Sequence, residues 1–321
     1  MLAIIGALLP VFGLIALGIG RGRFKLLGEG AEAVLSRFVA LVPLPALTLL
    51  AIAGLTIEQL TKPVMATVVV AGAWTTFAVQ LSIERFFKKP QAEANIVALG
   101  AAYSNSGFVG LPICLAILDK ATLGPSAVVM AQSTALVFAP FILLQELVTQ
   151  RGHSRAESIR TVCLAVGGNP LILSCVAGVV VAMSGWTMPG PLRVLLSSLA
   201  AATAPCALVA IGMFLTKPIE CGAGAGVWRG VAGKLVLSPL VTLCLLAILP
   251  PMDRMWTATA LIMAGVPAAS SVFIVAEDRA ARRIGAAIIV WTVGLSALTI
   301  PVIVAALAMA GMVDLRPAPL P

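Results

Sequence analysis

The sequence predicts an all-α integral membrane protein of ten transmembrane helices, arranged as two inverted five-helix repeats with broken helices 4 and 9. Three observations predict it. Hydrophobic residues make up 60% of the 321 residues and charged residues 11%, whereas soluble domains carry roughly 45–50% and 25%. Apolar runs near the ~20 residues that a helix needs to cross the hydrocarbon core recur along the whole length. The chain also matches itself at an offset of 160 residues, and self-similarity at a fixed offset marks a duplicated unit.

Taken in order, the spans fall at about 2 to 20, 34 to 54, 63 to 83, 94 to 118, 125 to 149, 166 to 185, 193 to 215, 228 to 249, 255 to 276 and 284 to 310. The first run begins at residue 2 without a charged n-region and is followed directly by Arg21, Arg23 and Lys25. It therefore reads as a retained helix rather than a signal peptide. The six cysteines show no CxxC and no metal-like spacing, so they read as small packing residues.

Charge placement gives the expected topology. The connections after odd-numbered spans, with the adjoining helix ends, hold Arg21, Arg23, Lys25, Arg37, Arg85, Lys88, Lys89, Arg151, Arg155, Arg160, Lys217, Arg229, Lys234, Arg279, Arg282 and Arg283. The other side keeps only Lys62, Lys120, Arg193, Arg254 and Arg316. Positive residues stay cytoplasmic, which places both termini on the non-cytoplasmic side of the cell (inner) membrane. The formal charge of +8 is thus a topology signal, dealt out a few residues per loop; a nucleic-acid face would cluster its bases with aromatic partners.

The repeat sets the domain expectation. The offset of 160 pairs Pro10 with Pro170, Gly18 with Gly178, Pro45 with Pro205 and Leu55-Thr56 with Leu215-Thr216. Residues 1–150 form the first five-helix repeat, 151–165 a cytoplasmic linker containing the single histidine, His153, and 166–321 the second repeat. An odd number of spans per unit inverts the second copy, a plan common in secondary transporters.

Two spans carry interruptions at mid-depth. Span 4 has Tyr103-Ser104-Asn105-Ser106-Gly107 followed by Gly110-Leu111-Pro112, and span 9 has Gly265-Val266-Pro267 followed by Ser270-Ser271. Proline removes a backbone hydrogen bond, and within lipid irregular backbone survives only beside protein or a water-filled cavity. Paired interruptions with half-helix amino termini point to an anion site. The candidate substrate-binding residues are Asn105, Ser104, Ser106, Gly107, Gln132, Pro267, Ser270 and Ser271; Pro45, Pro112, Pro205 and Gly265 are candidate helix-break or hinge positions. Asn105 either meets substrate or serves as interhelical glue, and Gln132, with Ser133 and Thr134, either faces the same cavity or pins its helix. Lys234 is either a counter-ion for a carboxylate or, the favoured reading, snorkels to the cytoplasmic interface, and Glu84, Glu146 and Glu277-Asp278 are expected to be solvated caps at span ends rather than a proton relay. With no buried acidic pair, neither proton nor sodium coupling is assigned, and no metal or cofactor is expected. An enzyme is excluded by the lack of a nucleophile and base, or of metal ligands, at membrane depth.

The stretch Ser104-Asn105-Ser106-Gly107-Phe108-Val109-Gly110-Leu111-Pro112 resembles the Asn-centred fourth-helix motif of the auxin efflux carrier family. Val42-Pro43-Leu44-Pro45-Ala46-Leu47, Gln132, Asn169-Pro170, Pro205, Gly265-Val266-Pro267 and Ala276-Glu277 extend the resemblance along the chain. It implies ten helices, a scaffold and a transport domain, crossed broken helices 4 and 9, an elevator-like movement, substrate contact at Asn105, crossover at Pro267 and a homodimer through the scaffold. Bacterial members of that family include malonate permeases, so a small organic anion, a dicarboxylate such as malonate, is the expected partner besides membrane lipid. Where plant members have a proline before the motif asparagine this chain has Ser104, and it lacks their long cytoplasmic loop. Two other readings stand beside this one: a sodium-coupled organic-anion symporter of the bile-acid type, and a non-transporting membrane receptor.

Overall fold

A computed structural model describes residues 2–24, 26–142, 167–216, 224–274, 276 and 279–313. The expected linker with His153, and Glu146, Glu277, Asp278, Cys163 and Cys221, lie outside the described residues. The described chain is helical without named strands: α1 (Leu2–Arg23), α2 (Ala31–Ala53), α3 (Ile57–Phe86), α4 (Gln91–Ala102), α5 (Ser106–Leu118), α6 (Lys120–Ile142), α7 (Pro170–Ser184), α8 (Gly190–Phe214), α9 (Ala225–Ile248), α10 (Arg254–Gly265), α11 (Ser271–Ile274) and α12 (Arg279–Met309). Among the described residues, six of these, α2, α3, α6, α8, α9 and α12, are long and apolar enough to cross a membrane.

Prolines shape these helices in two ways. In α2 the helix is interrupted at Val42, and in α8 at Ala202. Pro45 and Pro205 lie three residues further on and cannot donate to the carbonyls of Leu41 and Ala201, the last residues of the preceding helical turns. In α5, α6 and α9 the distortion is a π-turn instead: Ser106–Gly110, Thr134–Phe138 and Gly233–Leu237. Each π-turn ends two residues before a proline, Pro112, Pro140 and Pro239 respectively. Widening the helix by one residue moves the carbonyl that the proline ring would strike. Pro112 therefore sits inside a continuing helix, and the break of the fourth span lies earlier, at residues 103–105.

The helices gather in two sets that mix both halves of the sequence. One set is α1, α2, α7 and α8: α1 lies along the second half of α8, and α7 along the second half of α2. Their approach depends on glycine. A Cβ on Gly18 would stand 2.3 Å from the Val209 carbonyl oxygen and 2.9 Å from Gly212 Cα; a Cβ on Gly178 would stand 3.0 Å from the Leu49 carbonyl oxygen and 2.9 Å from Ile52 Cβ. In the other set α3 packs on α4 and α9, and α12 on α4, α9 and α10. Helices α5 and α6 belong to this second set and also touch the first, α5 against α1 and α8, α6 against α2 and α7.

Two charged residues correct the sequence expectation. Glu84 is buried, not a solvated cap: its carboxylate accepts from Arg229 Nε at 2.7 Å and Nη2 at 2.5 Å and from Gln80 Nε2 at 3.1 Å. Lys234 is fully buried and does not snorkel.

Candidate functional site

Both interrupted spans stop at the same depth because their broken segments pair with each other. After α4 and α10, each 12 residues long, Ser104 and Ala268 form an isolated antiparallel bridge. The Asn105 amide donates to the Pro267 carbonyl at 2.8 Å, and the Ala269 amide to the Tyr103 carbonyl at 3.1 Å. The Ala268 amide is taken by Thr292 Oγ1 of α12 at 3.2 Å. Backbone groups that a continuous helix would satisfy are thus satisfied across the crossing, as lipid requires.

A cavity of about 530 Å³ ends on this crossing, and Ser104, Asn105, Ser106, Gly107, Ser270 and Ser271 all line it. Six of the eight residues singled out from sequence are therefore brought together. Asn105 is buried and begins α5: its Oδ1 accepts from the Phe108 amide at 3.3 Å, capping the half-helix. No protein acceptor takes its Nδ2 among the described residues, and two donors remain for whatever enters. The amino end of α5, with its partial positive charge, meets the same space.

Pro267 does not line the cavity; its carbonyl holds the crossing together from behind. Gln132 does not line it either, and its buried Oε1 has no hydrogen-bond partner among the described residues. One residue on, Ser133 faces a small space of about 40 Å³ on the other side of the crossing, with Ser104, Ser106, Ser238, Met263 and Ala264, while Thr134 faces the large cavity. Gly265 ends α10, where a Cβ would meet Ile303 Cδ1 at 2.2 Å.

The remaining walls come from residues that sequence reasoning did not assign there. Tyr103 lines the cavity with its ring stacked on Phe138, centroids 4.8 Å apart. Arg37 and Ser36 from α2 and Asn169 from the start of α7 also line it, so among the described residues the lining holds a cation and no carboxylate. Asn169 caps α7 by accepting from the Leu171 amide at 2.9 Å.

Behind the crossing lies Lys234, the second residue of the α9 π-turn. Its Nζ donates to Ser104 Oγ at 2.6 Å, to the Ala264 carbonyl at 2.9 Å and to Ser238 Oγ at 3.4 Å. Three acceptors match the three N–H bonds of an ammonium. The lysine had a visible signal in Pro239, five residues later, which marks distorted backbone inside an apolar span.

At the opposite end of the bundle Lys62 pairs with Asp253 and lies over the Trp256 ring, 4.9 Å from its centroid. No group of three or more metal-ligating side chains occurs among the described residues.

Residues 3–304 match the family described as Membrane transport protein. Over 285 residues, 87% of this chain and 87% of the relative, the chain is 30% identical to a protein of Rhizobium meliloti (strain 1021) named "Putative malonate transporter". This is a transporter's kinship rather than an enzyme's, and it agrees with the apolar helices and with the Asn-centred motif on the cavity wall. The chain belongs to the membrane transport protein family of the auxin efflux carriers, as a multi-pass membrane permease.

Proposed function

We propose that this permease carries a small organic anion, a dicarboxylate such as malonate, by elevator-type alternating access, with Asn105, Ser104, Ser106, Gly107, Ser270 and Ser271 as the substrate-facing groups. The observation that carries the reading is the cavity ending on the crossing. It offers hydroxyls, the Asn105 amide and a helix amino end, and among the described residues its wall has Arg37 and no carboxylate. Such a set attracts negative charge and leaves a cation poorly held. The relative named for malonate supports the choice of dicarboxylate.

The elevator reading is supported by the two helix sets. Within α1, α2, α7 and α8 the backbones touch at Gly18, Gly178 and Gly212, a rigid arrangement suited to a scaffold. The crossing belongs to the other set, which suits it to move as a body past the cavity wall. Inverted repeats of five spans each, residues 1–150 and 166–321, are supported by the glycine contacts. Gly18 against Val209 and Gly212 becomes, displaced by 160 residues, Gly178 against Leu49 and Ile52. Val42 and Ala202, where α2 and α8 are interrupted, differ by the same 160.

With the sidedness drawn from charge, both termini would lie outside the inner membrane. The large cavity, walled by Arg37 and Asn169, would then open to the cytoplasm, and the smaller space behind the crossing would face outward.

The test is uptake of labelled malonate into proteoliposomes holding the purified protein, with and without sodium or a proton gradient, beside Asn105→Ala. Saturable uptake that falls at least roughly tenfold in Asn105→Ala, as loss of a buried charge-assisted hydrogen bond predicts, supports the reading. Uptake unchanged by the substitution removes Asn105 from the site. Uptake strictly dependent on sodium favours the bile-acid type of symport, and binding without flux favours a receptor.

A further inference from the structure

Among the described residues Lys234 makes no ion pair, and it is 0% exposed. A buried ammonium is retained only with good hydrogen bonds, and its positive charge remains uncompensated unless an anion comes near. Two of its acceptors are accounted for locally. The Ala264 carbonyl is at the end of α10, where a cation is favoured, and Ser238 Oγ passes its own proton to that carbonyl at 3.4 Å. The third, Ser104, is different.

Ser104 lies in the crossing and lines both the large cavity and the small space behind it, while Lys234 lines neither. Its Oγ accepts from Lys234 at 2.6 Å, and its backbone carbonyl accepts from the Ser106 amide at 2.8 Å. Among the described residues nothing accepts the Ser104 hydroxyl proton. A hydroxyl whose lone pair is held by an ammonium is polarised, and its proton is the better donor. That proton is left for an occupant of the two spaces that Ser104 lines, the large cavity and the small one behind the crossing. The hidden charge would therefore act on a cavity occupant through one hydroxyl, without the lysine touching it.

We propose that Lys234 is a positioning residue for negative charge: it fixes and polarises the Ser104 hydroxyl, which donates to a carboxylate of the substrate, and so sets selectivity for the dianion over uncharged analogues. This inference rests on the small-carboxylate reading above and names the pair of residues that would enforce it. The Asn105 amide supplies neutral donors common to acids and amides; the Lys234–Ser104 pair supplies what distinguishes them.

The test uses the full chain in detergent and in proteoliposomes, with malonate, its monoamide and its diamide as ligands. Binding is read by calorimetry, and uptake as KM and kcat separately. Lys234→Met keeps the length of the side chain and removes the charge; Ser104→Ala keeps the charge and removes the hydroxyl. The wild type is expected to prefer malonate to the diamide. Each variant should lose roughly tenfold to hundredfold of that preference, the range for a charge-assisted hydrogen bond, through KM rather than kcat. The double variant should lose little more than either alone, and Lys234→Arg should recover part of the loss.

A lysine that only caps α10 would lower thermal stability in Lys234→Met and leave the malonate-to-diamide ratio untouched, which overturns the proposal. Independent, multiplying losses in the double variant overturn it as well. If Lys234→Met does not fold, Ser104→Ala decides, because an unchanged ratio there removes the relay. A wild type that binds neither acid nor amide refutes the dicarboxylate reading itself, whereas a selective wild type with unaltered variants refutes only the role of Lys234.

Discussion

Glu84 and Arg229 join the last turn of α3 to the first turns of α9, and removing one partner should cost far more than removing both. The Glu84 side chain is 1% exposed and Arg229 19%. In Arg229→Ala the carboxylate loses both guanidinium hydrogen bonds and keeps only Gln80 Nε2 at 3.1 Å. An uncompensated buried charge of this kind costs about 3–5 kcal/mol. At about 2–4 °C of melting temperature per kcal/mol, the apparent Tm should fall by roughly 6–20 °C. Glu84→Gln should be milder, because the orphaned guanidinium can reach solvent and still lies over Phe87, 4.4 Å from the ring centroid. The double variant Glu84→Gln/Arg229→Ala should recover most of the loss, with a coupling above about 1 kcal/mol in a double-mutant cycle. The assay is thermal unfolding of the purified protein in detergent, followed by tryptophan fluorescence. If Arg229→Ala alone melts with the wild type, Glu84 is a solvated cap after all and the argument from burial fails.

Gly212→Ala would place a Cβ 2.1 Å from the Ile15 carbonyl oxygen, where ordinary contact begins near 3.4 Å; the backbones of α1 and α8 must part by about 1 Å, at a cost of roughly 1–3 kcal/mol, visible as a lower Tm with little change in malonate KM. Trp74→Phe should lower stability by about 1 kcal/mol, read by the same melting assay, because the indole donates at 3.0 Å to the Leu136 carbonyl that Pro140 leaves without an amide. The hydrogen bond from Lys62 holds Asp253 below the usual carboxylate range, so any stability from that exposed pair is complete at neutral pH and lost only as pH falls below about 3.9; Asp253→Asn should leave the Tm at pH 7 nearly unchanged, as surface pairs usually do.

What could be read from sequence was local. Tyr103 to Gly107 and Gly265 to Pro267 announce broken helices by composition alone, and the pairing of 103–105 with 267–269 follows from their equal depth. What could not be read depends on partners distant along the chain. Glu84 meets Arg229 at a separation of 145 residues, so nothing near it shows that its span end is covered. Gln132 shares its helix with a residue that does face the cavity, Thr134, two positions away. Two positions turn a helix by roughly 200°, and the phase is not fixed by local pattern where every neighbour is small or apolar. For Lys234 the flexible stem permits either the interface or the interior, and the choice is made by the backbone beneath it.

That backbone choice recurs. Pro112, Pro140 and Pro239 each follow a π-turn, and Ser106, Thr134 and Lys234, each within the first two residues of its turn, all point to the crossing or the cavity that ends on it. One inserted residue rotates the following face of a helix by about 100°, enough to carry a side chain from the lipid side to the interior. Within lipid the distortion is tolerable only where a partner takes the freed groups, as Trp74 does for Leu136. The prolines therefore do more than bend helices: each allows polar groups to be presented at mid-membrane on an otherwise apolar span. Three such turns around one antiparallel crossing assemble a polar site from spans that, taken singly, are ordinary apolar helices.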